Sequence, residues 1–341
     1  MKARILTFFK YALPLVVAFL LLKFYVFEQI SLADMVQEFR QANYNWVVLS
    51  GVMLLLAHMS RAHRWNLLMQ PLGYRPGLFQ TFLAVMVGYF ANLILPRMGE
   101  VTRCGILQRM ERVPLHTSFG TVVAERIFDV IMLLLLLSLN FILEFNRLST
   151  FFMDFFSSKF SSLGNLSQNV YIIFTCIIIL GLFVLIALYK YRSRFTKLAF
   201  FAKIRTFVKG MLEGVLSVRK LDRKWDFALQ TILIWIFYYG ASYSLTFALP
   251  DTPRLTMLAG LTILMMGGLG MAAPVQGGTG PFHILVSSAL LLYGWNQEDG
   301  LVLATFIWAS QTLLTLAVGG ICFIISIFMT KPATEQIPAQ S

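Results

Sequence analysis

"NLILPRMGEVTR", residues 92–103, and "GGLGMAAPVQGGTGPFH", residues 267–283, decide how this chain is read. Each sets Pro and Gly inside a long apolar stretch, and the first adds charge. Both carry P-x-x-G, as Pro96–Gly99 and Pro274–Gly277. A hydrocarbon solvent cannot satisfy free N–H and C=O groups. Broken helix at membrane depth therefore survives only where protein buries it or where it lines a wet cavity. Matching interruptions in two halves of a hydrophobic chain point to a transporter-like site.

The surrounding composition supports a membrane setting. Of 341 residues, 58% are hydrophobic and 13% charged, with a mean hydropathy of +0.73. Several runs reach the roughly 20 apolar residues that cross a bilayer. The net charge of +12 is concentrated between Lys190 and Lys224, in a loop between hydrophobic runs. That is the positive-inside pattern of a cytoplasmic loop, and it argues against nucleic acid as a partner. Cys104, Cys176 and Cys322 are isolated and give neither a disulfide framework nor metal spacing. His58, His63, His116 and His283 also lack metal spacing. With no nucleophile elbow, zinc-protease motif or Walker loop, no catalytic residue, metal or cofactor is expected.

The hydrophobic pattern predicts an all-α polytopic membrane protein with full spans near 11–27, 45–62, 119–143, 170–189, 227–249 and 301–329. The irregular segments 78–117 and 255–294 lie between them. Lys/Arg bias puts both termini, the Arg61–Arg75 loop, Arg97–Arg112 and the 190–226 loop in the cytoplasm. That assignment requires each irregular segment to enter and leave on one side, as a re-entrant helical hairpin does. Residues 1–165 and 166–331 then repeat one layout of span, span, hairpin, span. Three crossings per half make the second copy inverted. Pro96 follows Trp46 by 50 residues and Pro274 follows Trp225 by 49. Residues 1–331 are expected to form one integral membrane domain, followed by a short polar tail, 332–341. Residues 203–220 read as a basic amphipathic helix on the inner leaflet, and 31–44 as a weaker external counterpart.

Candidate site residues gather at the breaks. Arg97, Glu100 and Arg103 recur every three residues and are expected on one face of a helix starting at Pro96. Guanidinium forks suit phosphate, and Glu100 would hold one of them in position. A plain cytoplasmic-interface role fits the same residues. Glu125, Arg126 and Asp129 open the next span. Charges at that depth cost roughly 2.5–3.5 kcal/mol each, so an interhelical ion network is expected. Whether that network gates transport or only pins the helices stays open. Arg61 and Arg64 end the second span and read either as interface anchors or as headgroup contacts. Pro96, Gly99, Pro274, Gly277, Gly278 and Gly280 are hinge candidates, and His283 supplies a polar contact beside them. Close packing through small residues is the alternative reading of the glycines.

Together, "RAHRW" (Arg61–Trp65), "NLILPRMGEVTR", "AERIFDV" (Ala124–Val130) and "PVQGGTGPFH" (Pro274–His283) resemble the membrane domain of lysylphosphatidylglycerol synthases, the multiple peptide resistance factor family. The resemblance covers nearly the whole chain. It implies a bacterial or archaeal cytoplasmic membrane, a two-hairpin flippase-type fold and movement of anionic or aminoacylated phospholipids between leaflets. Full-length synthases add a soluble aminoacyl-transferase domain. None is expected within these 341 residues, so a separate transferase partner is the alternative reading. Members of the family often carry an acid shortly after the Gly-rich segment, where this chain has His283. The oligomeric state is not legible.

Overall fold

The computed structural model describes residues 32–95, 97–145, 221–250, 254–273 and 275–329, and every regular element among them is helical. The expected spans 11–27 and 170–189, the amphipathic segment 203–220, Pro96, Pro274 and the tail 332–341 lie outside the described residues. The helices are α1 (Leu32–Gln41), α2 (Tyr44–Met69), α3 (Leu78–Ile94), α4 (Gly99–Glu111), α5 (Leu115–Leu143), α6 (Lys224–Leu245), α7 (Met257–Ala272), α8 (Pro281–Leu291) and α9 (Gln297–Phe328).

Local chemistry sets these boundaries. Asn43 caps α2, its side chain accepting from Asn45 N–H at 3.1 Å. Thr256 caps α7 through Ala259 N–H, and Asn296 caps α9 through Asp299 N–H at 2.7 Å. Each cap satisfies an N–H that the helix leaves free. Pro281 occupies the first turn of α8, where the missing N–H costs nothing.

Length separates two classes of helix. α2, α5, α6 and α9 have 26, 29, 22 and 32 residues, or about 33–48 Å at 1.5 Å per residue. α5 and α9 are long and apolar enough to cross a membrane. α5 leaves Ile127, Val130, Ile131, Leu134 and Leu135 exposed, a surface suited to lipid. α3, α4, α7 and α8 have 17, 13, 16 and 11 residues, or about 16–26 Å. None of these four matches the ~30 Å hydrocarbon core.

The short helices pair as α3 with α4 and α7 with α8. The most extensive contact is between α2 and α6, and contacts in the two halves correspond. α3 packs on α9 as α7 packs on α5, and α4 packs on α5 as α8 packs on α9. One apolar core, including Trp65, Ala84, Val85, Cys104, Leu107 and Val122, joins α2, α3, α4 and α5. Another, including Leu245, Ile263, Val286, Leu303 and Ile307, joins α6 to α9. Phe39 of α1 meets Phe306 edge to face at 4.9 Å, so this helix packs on the second core.

Glycines allow the paired helices to touch. A methyl at Gly88 would sit 2.9 Å from Gly99 O, and one at Gly99 would strike Gly88 O and Asn92. At Gly270 it would meet the Phe282 backbone within 2.5–2.7 Å. Backbone cannot move aside as a side-chain tip can. Gly270→Ala is expected to cost about 1–3 kcal/mol, the usual range for overpacking. Thermal unfolding of the purified protein checks this, and an unchanged midpoint would contradict it.

Candidate functional site

The two broken segments meet. Leu95 follows α3 in extended backbone, and the Asn92 side chain accepts from Gly99 N–H at 2.7 Å across the break. In the second half a turn at Gln276–Gly278 places Gly277, Gly278 and Gly280 at φ 55°, 67° and 91°, which side-chain-bearing residues rarely adopt. The Gln276 amide donates to Ile94 O at 2.8 Å, tying one break to the end of α3. Trp308 of α9 donates to Gly277 O at 2.7 Å. Irregular backbone is thus held by protein groups, as a water-poor setting demands. His283 is buried. Its Nδ1 accepts from Gly280 N–H at 3.3 Å, so a neutral ring carries its proton on Nε2. That atom is buried without a partner.

Beside the first break lies a network from three helices. Arg61 Nη1 of α2 reaches Glu125 Oε1 of α5 at 2.5 Å and Asp129 Oδ2 at 2.7 Å. Arg64 Nη2, one turn further along α2, reaches Asp129 Oδ1 at 2.6 Å and Glu125 Oε1 at 3.3 Å. Arg103 of α4 brings Nη1 to 3.0 Å from Glu125 Oε2. That contact is off the hydrogen-bonding line, since Oε2 accepts no hydrogen bond. Arg126 pairs with Glu100 at 3.1 Å and more loosely with Asp129 at 3.6 Å. Arg61, Arg64, Arg103 and Glu125 are buried. Four guanidiniums face three carboxylates, which leaves one positive charge in excess.

The excess has an address. Arg103 Nε and Nη2 are buried with no hydrogen-bonding partner, as is Arg64 Nε. The Arg103 guanidinium lies over the Trp65 ring at 4.8 Å, and Trp65 Nε1 is itself fixed by Thr121 Oγ1 at 2.9 Å. Stacking on an aromatic face holds the guanidinium plane while leaving its edge free. That free edge can accept an oxyanion.

The expected sharing of one helical face by Arg97, Glu100 and Arg103 does not hold. α4 starts at Gly99. Arg97 precedes it at φ 62° and is exposed, because the chain must turn there to bring Gly99 against Gly88. Glu100 holds Arg126, and the expected Glu100 contact with Arg97 or Arg103 is not the one formed. Arg61 and Arg64 are not interface anchors. They face inward as main partners of Glu125 and Asp129. The interhelical network expected around Glu125, Arg126 and Asp129 is present, with α2 supplying two of its cations. Gly99, Gly277, Gly278, Gly280 and His283 all lie at the breaks.

Aromatic neighbours of Arg61 escaped the reading of the sequence. Tyr238 OH of α6 accepts from Arg61 Nε at 3.3 Å and lies 3.3 Å from Tyr89 OH of α3. His58 stacks near Tyr89 at 4.4 Å. Within "FYYGASY" and "VGYFAN" nothing distinguishes these tyrosines from interface aromatics; only the packing of α2, α3 and α6 gathers them. Between Arg61 and Arg64 on α2, His63 Nε2 meets Asp226 of α6 at 3.2 Å, and Arg223 shares that carboxylate at 2.7 Å.

Residues 11–319 match the family model of the lysylphosphatidylglycerol synthase TM region. Over 123 residues, 35% of this chain, the sequence is 30% identical to a UPF0104 membrane protein of Methanocaldococcus jannaschii. The match spans 36% of that relative's length. No solved structure matches the chain.

Proposed function

We infer that this chain, which belongs to the lysylphosphatidylglycerol synthase transmembrane-region family, is a flippase- or scramblase-like carrier of a lipid headgroup phosphate between leaflets. One observation carries the reading: a buried network with one positive charge in excess keeps the Nε and Nη2 edge of Arg103 unpaired beside a helix break. A buried cation without hydrogen bonds is costly. A phosphate oxygen pair matches its donor geometry.

The topology that fits this reading is an inverted repeat in the cytoplasmic membrane, with both termini inside. α3 and α4 form a hairpin entering from the cytoplasm, and α7 and α8 one entering from outside. Glu125 stands ten residues into α5, about 15 Å along it, so the network lies well inside the bilayer. Arg97, exposed at the first break, gives the headgroup a further contact near mid-membrane. Acyl chains stay in lipid along the apolar faces of α5 and α9. Small movements of the Gly-rich breaks, with one half rocking against the other, alternate access to the two sides.

Reconstitution into vesicles with a fluorescent anionic phospholipid tests this. The protein is expected to speed dithionite-accessible exchange between leaflets over empty vesicles, and Arg103→Gln to remove most of that gain. Equal rates with and without protein would contradict the proposal.

A further inference from the structure

We propose that His283 is a proton-binding switch: the Gly-rich break of the second half closes on the neutral ring and opens when the ring takes up a proton. The ring caps the turn it sits beside. Its Nδ1 accepts from Gly280 N–H at 3.3 Å, and Gly280 stands at φ 91°, a backbone conformation that suits glycine. A proton on Nδ1 removes the acceptor and sets one N–H against another. The cap and a charged ring therefore exclude each other. Nε2 cannot compensate, because it is already a buried donor without a partner.

Among the described residues no counter-charge faces that ring. α8 packs on α7 and α9. α7 carries no titratable side chain, and α8 carries none besides His283. α9 meets the ring with Trp308, at 5.2 Å between ring centres. The acids of α9, Glu298 and Asp299, lie ten and nine residues before Trp308, about 14–15 Å along the helix. Cys322, further along α9, packs with Leu83 and Met86 of α3. The turn at Gln276–Gly278 also touches α3, whose Tyr89 hydroxyl lies 3.3 Å from that of Tyr238. An unpaired buried charge is costly, so a protonated ring requires water, and opening the turn admits it. Protons thus bind the open turn and not the closed one, and opening gains as pH falls. The movement reaches the first break, because the Gln276 amide of the same turn holds Ile94 O at 2.8 Å.

Hydrogen–deuterium exchange of the purified full chain tests this at the turn itself, whether or not the chain moves lipid. Rates over residues 276–284 are compared at pH 7.5 and pH 5.5, each corrected for the chemical exchange rate at that pH. An imidazole in water titrates at about pH 6.5. One proton taken up on opening should therefore speed exchange about tenfold at the lower pH. Residues 130–140 of α5 should exchange alike at both. His283→Asn keeps an acceptor in the place of Nδ1 but does not titrate, so its turn should be equally protected at the two pH values. His283→Gln, with its acceptor one bond further out, is a second non-titrating variant and should lose the response as well. Equal protection of the unmodified chain at pH 7.5 and pH 5.5 would overturn the switch. So would a pH response that survives in either variant.

Discussion

Glu125→Ala is expected to destabilise the protein by about 3–5 kcal/mol, the cost of removing one partner from a buried ionic cluster. Glu125 is fully buried, and Arg61, Arg64 and Arg103 all contact its carboxylate. Without it, four guanidiniums would face Glu100 and Asp129 alone. The excess would rise from one positive charge to two in a region that water cannot screen. Glu125→Gln keeps the volume but not the charge, so it should fall close to the alanine variant. Thermal unfolding in detergent checks this. A midpoint within about a degree of the parent protein would show that the network contributes nothing to stability.

Arg103→Gln is expected to act in the opposite sense on the two readouts. It should weaken binding of a phosphodiester lipid by about 10- to 100-fold, since charge-assisted hydrogen bonds contribute roughly 1.5–3 kcal/mol. Stability should hold or rise, because three guanidiniums then face three carboxylates and no unpaired fork is buried. Arg103→Lys restores the charge but loses the flat group over Trp65 and the two-pronged donor edge. Partial recovery of binding is therefore expected. A loss of stability with unchanged lipid affinity would make Arg103 a structural ion-pair member and nothing more.

These contrasting effects arise at positions that look alike in the chain. Arg61, Arg64, Arg97 and Arg103 are all cations flanking apolar runs, and hydropathy assigns them all to an interface. Packing separates them. α2 and α6 bury Arg61 and Arg64, α4 lays Arg103 on Trp65, and the turn before Gly99 leaves Arg97 exposed. Periodicity suggested one helical face for Arg97, Glu100 and Arg103. It could not register that the Gly88–Gly99 approach delays the start of α4. The charges of Glu125, Arg126 and Asp129 were easier to read, because ionised groups that deep in an apolar run must find partners. The helix breaks were legible for the same reason, since Pro and clustered Gly forbid an ordinary span. The Gln276–Ile94 bond between breaks 182 residues apart, and the gathering of His58, Tyr89 and Tyr238, depend on tertiary contacts that no local pattern encodes.

In the proposed carrier both short-helix pairs enter and leave the bilayer on one side each, from opposite faces. Single cysteines at Gly73 and Arg112, flanking α3 and α4, and at Arg254 and Gly294, flanking α7 and α8, read this directly when the native cysteines are replaced. A membrane-impermeant maleimide applied to right-side-out and inverted vesicles should label positions 73 and 112 only from the cytoplasmic face. Positions 254 and 294 should label only from the outer face. Labelling of 73 and 112, or of 254 and 294, from opposite faces would mean that the pair crosses the membrane, and the sheltered phosphate route would not exist.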